Sequence, residues 1–208
     1  KDYLATAASL DRNIGRALDY LDKNDLTKNT IVIYMSDQGF YMGEHGWFDK
    51  RFMYEPSFRT PMMARFPGVT KPGSVINENI MNIDIAPTLI ELAKAKTPSD
   101  VQGRSFLPLL KGKTTPLRDA MYYHYYEKGE HSVSPHFGIK TKRYKLIRFY
   151  NMVDSWELFD LDKDPDELHN IYNEKSSAPI VKKLKAELLG LIKKYDDREA
   201  QVIFEKPV

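Results

Sequence analysis

The sequence predicts an α/β class chain: part of an α/β domain, followed by a small antiparallel β-sheet subdomain packed by a terminal helix. Three observations predict it. A helix-period apolar pattern over residues 3–23 leads through a polar loop into a short β-branched run, "TIVIYMS" at 30–36, which is half of an α/β unit. From about residue 116 the composition shifts to aromatic and β-branched stretches separated by turn-like gaps, the signature of short strands. Finally, "APIVKKLKAELLGLIKKY" at 178–195 carries one apolar face. The expected division is 1–115 for the α/β part and 116–208 for the small sheet with its helix.

Each element has its own warrant. Leu4, Ala7, Leu10, Ile14, Leu18 and Leu21 recur at spacings of three and four, so they share one face of a helix. Asn24 and the stretch "KNDLTKN" end that helix. The "TIVIYMS" run is apolar on both faces and suits a central parallel strand covered on two sides. Gly39, Gly43 and Gly46 make the next stretch an ordered loop. "TPMMARFPG" at 60–68 reads as a second buried strand closed by a Pro-Gly turn. "NIDIAPTLIELAK" at 82–94 reads as a helix with Asp84 at its N-cap and Pro87 in its first turn. "SFLPLLKG" supplies one short helical turn. "AMYYHYYE", "HFGIKTKRYKLIRFY" and "SWELFDLD" are the antiparallel strands, with Trp156 in the core. In the terminal helix Val181, Leu184, Leu188 and Ile192 form the buried stripe.

Composition excludes several function classes. Among 208 residues the formal net charge is +2, so no global field favours nucleic acid. Short basic groups such as "KTKRYK" at 140–145 read as solvated strand. No apolar run reaches the roughly 18 residues of a membrane-spanning helix. With no cysteine, disulfides, thiolate metal sites and cysteine nucleophiles are excluded, and the compartment is left open.

The chemistry-bearing stretch is "SDQGFYMGEHGWFDK" at 36–50. Ligands of open α/β sheets bind beyond the carboxyl ends of the strands, and Asp37 and Gln38 follow such an end. A carboxylate and an amide carbonyl beside a glycine turn are oxygen donors for a hard divalent cation, calcium foremost with magnesium as the alternative. Zinc favours histidine or cysteine. Calcium takes about six to eight oxygens, so further ligands come from elsewhere. Taken alone, the dipeptide more readily describes a turn in which Asp37 caps backbone N–H groups and Gln38 faces water. Lys50, thirteen positions after Asp37, is a candidate point charge for a tetrahedral oxyanion. His45, in "GEHG", is a candidate proton donor. In the small sheet, His124, His131, His136 and Arg143 are candidate sugar contacts, with Tyr122, Tyr123, Tyr125 and Tyr126 offering stacking faces. Packing on the terminal helix is the competing role for most of them. Trp47 and Phe48 are candidates for the pocket wall. Glu55 and Arg59 are expected as a buried pair, and His169 as a turn cap.

Together, "IVIYMSDQGFYMGEHGWFDK", "YEPSFRTPMMARFPG", "NIDIAPTLIELA", "GRSFLPLL" and "RYKLIRFYNMVDSWELFDLDKDPDELHNIY" resemble the sulfatases of the alkaline phosphatase superfamily. The resemblance is to the glucosamine-6-sulfatase-like and iduronate-2-sulfatase-like branch. It covers the chain almost end to end and implies the C-terminal portion of an alkaline-phosphatase-like α/β domain. It implies that Asp37 and Gln38 are the second pair of metal ligands, that Lys50 binds the substrate sulfate, and that His45 lies near the site. Zinc phosphatases of the superfamily tend to carry Asp-His at the ligand pair, so the amide fits calcium. The substrate implied is a sulfated sugar or a glycosaminoglycan-derived saccharide, in a periplasmic, secreted or lysosomal-type compartment.

The departures matter as much. The family's nucleophile is a formylglycine made from the Cys or Ser of a Cys/Ser-x-Pro-x-Arg motif, and this sequence has no such motif. The family's first metal pair, its other sulfate-binding lysine and its leaving-group histidines also find no match. The resemblance therefore implies a C-terminal part whose partner is the N-terminal half of the same enzyme, and which is inactive alone. Two rivals are a phosphodiester or phosphonate hydrolase of the same superfamily and a non-catalytic binder of sulfated glycans.

Overall fold

The computed structural model describes residues 1–206. In chain order its elements are α1 (Asp2–Lys23), β1 (Val32–Met35), α2 (Glu55–Phe58), β2 (Met62–Arg65), α3 (Ile85–Leu92), α4 (Leu107–Leu110), β3 (Ala120–Tyr125), β4 (His136–Thr141), β5 (Tyr144–Phe149), β6 (Ser155–Asp160), α5 (Ala178–Lys194) and α6 (Arg198–Phe204). They form two compact units. Lys1–Met35 joins Pro61–Thr115, and Ser36–Thr60 joins the chain from Pro116 onward. The 36–60 stretch, expected within the 1–115 region, packs with the small sheet instead.

In the first unit α1 forms as its periodicity predicts. Asn24 ends it, its N–H and its side-chain amide both donating to the Tyr20 carbonyl. The expected buried stripe does not form: no α1 residue is buried, and Leu4 and Leu10 are 69% and 53% exposed. β1 corrects a second expectation. It pairs with β2 antiparallel, Ile33 opposite Ala64, and neither strand is fully buried. An apolar run fixes neither the direction of a strand's neighbour nor its cover, since both depend on what packs beside it. The Pro-Gly turn after β2 is present, with the Val69 and Thr70 N–H groups donating to the Phe66 carbonyl. Asp84 precedes α3 as expected, but its carboxylate does not cap that helix. It accepts from the Met81 and Arg104 N–H groups instead, each at 2.8 Å. α4 is the single short turn expected of "SFLPLLKG".

The second unit centres on a four-stranded antiparallel meander, β3-β4-β5-β6. Residues alternate between its two faces. Phe137, Ile139, Leu146, Trp156 and Leu158 pack against Leu184, Leu188 and Ile192 of α5, the stripe read from the sequence. The opposite face presents Ile147, Phe149 and Phe159 to Met53, Phe52, Tyr54 and Phe58 of the 36–60 stretch. The sheet is thus covered on both faces. Each fully buried Leu, Ile or Phe contributes about 1.5–3 kcal/mol of transfer free energy, and this double cover holds the 36–60 stretch in place. Gly138 on β4 permits the close approach: a Cβ there would sit 2.8 Å from the Met53 sulfur. α6 was not anticipated. Asp197 starts it, its carboxylate accepting from the Ala200 N–H at 3.0 Å.

Candidate active site

The stretch after β1 is fixed from its first residue. The Ser36 hydroxyl donates to the Gln38 carbonyl at 2.8 Å and lies 3.4 Å from Asp37 Oδ1. Asp37 is exposed and Gln38 half-buried. Among the described residues the Gln38 side chain has no hydrogen bond, and the Asp37 carboxylate has only the long Ser36 contact. Both oxygen donors are therefore uncommitted. At Gly39 the chain tolerates no side chain, because a Cβ would run into the Pro56 carbonyl oxygen and crowd the Ser57 Cα. That approach lets the Gly39 N–H donate to the Ser57 carbonyl at 2.7 Å.

Ser57, buried in α2, is also the link to Lys50. Its hydroxyl donates to the Lys50 carbonyl at 2.7 Å, while the Lys50 N–H donates to Asp49 Oδ1 at 2.8 Å. Asp49 in turn pairs with Arg51. The Lys50 ammonium has no ion-pair or hydrogen-bond partner among the described residues. Tyr41, fully buried, closes the loop's base, its N–H donating to the Asp49 carbonyl and its hydroxyl to the Phe52 carbonyl. His45 is exposed and adopts a left-handed φ of 55°. Its ring stacks on Tyr54 with centroids 4.5 Å apart, and the Tyr54 hydroxyl donates to Glu157 at 2.7 Å. One short helix and the residue before it thus hold three predicted positions: Gly39 beside Gln38, Lys50, and His45.

α2 is itself anchored by charges that the sequence reading misassigned. Lys145 is fully buried, its Nζ 2.7 Å from Glu55 Oε1, 2.6 Å from Glu167 Oε1, and donating to the Met53 carbonyl at 2.7 Å. Lys140 adds a 2.8 Å contact to Glu55, and Glu167 Oε2 accepts from the Glu55 N–H at 2.5 Å. The ion pairs lie off-line, so Glu55 Oε1 and Glu167 Oε1 lack an aligned hydrogen bond. Burial pushes the Glu55 carboxyl up, but Lys145 and Lys140 outweigh it and hold it below the usual range. Burial dominates at Glu167 and raises it. The "KTKRYK" segment is therefore not simply a solvated strand. Glu55 pairs with these lysines rather than with Arg59, which is exposed.

A family model described as N-sulphoglucosamine sulphohydrolase, C-terminal, matches residues 43–194. The chain belongs to the sulfatase family. Within that family it is 49% identical over 203 residues to an N-acetylglucosamine-6-O-sulfatase of Bacteroides thetaiotaomicron, covering 96% of this chain and 36% of the relative. An arylsulfatase of Clostridium perfringens is 36% identical over 203 residues, covering 95% of this chain and 40% of that protein. A solved structure of a protein in complex with its substrate D-glucosamine-2-N,6-O-disulfate superposes with a TM-score of 0.91 at 47% identity, covering 99% of this chain and 42% of that one. The phosphonate monoester hydrolase of Agrobacterium radiobacter superposes at 0.79 with 26% identity, covering 90% of this chain and 40% of that one. The chain thus matches the C-terminal part of sulfatases with an alkaline-phosphatase-like fold, and it spans little more than a third of the curated relatives' length.

The small-sheet residues expected as sugar contacts are mostly engaged in contacts within their own unit. His124 and His136 are both interior. His124 Nδ1 is 2.6 Å from Asp197 Oδ2 and its Nε2 is 2.7 Å from the Tyr150 hydroxyl. Burial holds its pKa down against the pull of Asp197. His136 is fully buried among Phe52, Tyr123, Tyr125 and Phe149, with Nδ1 donating to the Ser134 carbonyl. Tyr122 and Tyr126 donate to Asp197, Tyr123 to the Arg51 carbonyl, and Tyr125 to Glu127. Arg143 forks onto Asp160. His131 stays exposed, 2.9 Å from Arg51. Trp47 packs edge-on to Phe52, and Phe48 is exposed. Asp164, not His169, supplies the turn cap. Asp197, Glu167 and Lys145 gave no signal in the sequence, because each acquires its role only from partners far along the chain.

Proposed function

We propose that this chain is the C-terminal part of a sulfuric ester hydrolase that acts on a sulfated glucosamine-type sugar. The observation that carries the reading is the Lys50 ammonium, unpaired among the described residues, on a loop fastened, through Ser57, to the glycine beside Asp37 and Gln38. Two uncommitted oxygen donors and a free cation suit a divalent ion and its anionic substrate. Asp37 and Gln38 would hold calcium as part of a cage completed by acids outside this chain, and the ion would supply positive charge to the sulfate oxygens. Lys50 binds and orients the sulfate and opposes the charge that grows on it. His45, stacked on Tyr54, stands ready at the rim to move a proton. The nucleophile, a formylglycine, belongs to the N-terminal half, and the chain alone is inactive. No helix of the described residues is long and apolar enough to cross a membrane.

The likeness to a phosphonate monoester hydrolase keeps a second reading in play. Turnover of N-acetylglucosamine-6-sulfate and of a phenyl phosphonate ester by the full-length protein separates the two. The expected result is faster turnover of the sulfate, lost on treatment with a calcium chelator and regained with calcium. Preference for the phosphonate, or indifference to chelation, overturns the proposal.

A further inference from the structure

We infer that α2 is a positioning bracket: Ser57 fixes the backbone of Lys50, and the buried Lys145–Glu55–Glu167 cluster fixes α2 on the small sheet. The inference rests on the role proposed above for Lys50.

The chain of contacts is continuous. Lys145 projects from the sheet face opposite α5 and touches Glu55 at 2.7 Å and Glu167 at 2.6 Å. Glu55 opens α2 and Ser57 sits two residues on, its carbonyl accepting from Gly39 and its hydroxyl donating to Lys50, each at 2.7 Å. A four-residue helix has too few internal hydrogen bonds to hold its own place, so its position comes from what it is fastened to. Holding a lysine on an anion requires ordering both its backbone and its stem. Fixing the backbone through Ser57 meets the backbone share of that cost before substrate arrives and keeps the stem's origin in register with the site, which is how a group remote from the chemistry raises turnover. Glu55, Ser57, Lys145 and Glu167 are positioning residues: they act through Lys50.

The test is a double-mutant cycle in the full-length protein, read as kcat and KM for N-acetylglucosamine-6-sulfate. Ser57→Ala keeps the backbone bond from Gly39 and is the main variant. Glu55→Gln, which keeps a hydrogen-bonding side chain, is the second. Lys145→Met leaves Glu167 without its ammonium and Glu55 with Lys140 alone, which threatens folding, so it is not the variant of choice. Ser57→Ala is expected to lower kcat about ten- to a hundredfold in the native background. In a Lys50→Ala background it is expected to cost less than about twofold, because the group it positions is gone. Glu55→Gln is expected to follow the same pattern with a smaller loss. A role confined to stability would lower activity equally in both backgrounds, and that outcome overturns the inference alone. If Lys50→Ala by itself leaves kcat unchanged, the role of Lys50 and the inference fall together.

Discussion

Lys50 and His136 are opposite electrostatic cases. The Lys50 ammonium has no ion-pair or hydrogen-bond partner among the described residues. His136, wrapped in four aromatic rings with its Nε2 unpartnered, has its pKa pushed down to about 4 by burial, against the Ser134 carbonyl and with the help of His124. For Lys50, removing a charged group that opposes transition-state charge typically costs about 10² to 10³ in rate. Lys50→Ala in the full-length protein should therefore lower kcat by at least that factor, and steady-state kinetics on the sulfated sugar measures it. For His136 the sign follows from proton binding. Between its folded pKa near 4 and the ordinary histidine value of about 6.5, the unfolded chain binds the extra proton. Stability is fully present above about 6.5 and is lost as pH falls toward about 4. Urea unfolding of the native protein should show a contribution of about 2 kcal/mol lost between about pH 7.5 and pH 5, a loss absent from His136→Phe. Equal pH dependence in the two proteins would count against the assignment.

At the scale of elements, α5 and the meander were legible because their signals are local. A stripe at spacings of three and four, or alternation at two, records which residues share a face, and in this unit those faces are covered. The 36–60 loop was legible in its chemistry but not in its anchorage. Lys145 looked solvated because it lies in a basic run, yet period-two alternation puts it on the loop-facing side with Ile147 and Phe149, where Glu55 and Glu167 meet it. The direction of β1 and the exposure of α1 were hidden for the converse reason: both depend on what covers them, which no local pattern states. α6 is a seven-residue helix started by Asp197, too short for its apolar period to stand out in the sequence. The clamp itself makes a stability prediction. Removing one partner of a buried ion cluster typically costs about 3–5 kcal/mol, so Lys145→Met should lose that much by urea unfolding. The double variant with Glu167→Gln should recover part of it, and a loss under about 1 kcal/mol in the single variant would show that the cluster does not anchor α2.

For the molecule as a whole, the two units differ in how well they are finished. The small-sheet unit has α5 on one face and the site loop on the other. The first unit leaves the apolar face of α1 exposed and its two-stranded sheet only half-buried, and unpaired strand edges invite association. Given that sulfatase relatives are more than twice as long, the chain produced by itself is expected to self-associate and to hydrolyse no aryl sulfate. Sedimentation velocity and a chromogenic sulfate assay test both. A monodisperse monomer, or turnover above background, would contradict the expectation.

The site loop's dependence on the far sheet also sets a schedule for synthesis. The bond between the Glu55 N–H and Glu167 spans 112 positions, so a nascent chain emerging at about 5–20 residues per second leaves that loop unanchored for on the order of ten seconds. Throughout that interval Lys50 and the Asp37–Gln38 pair exist on the ribosome without their frame, so this loop matures only after the strands and the turn that carry Lys145 and Glu167 have been made.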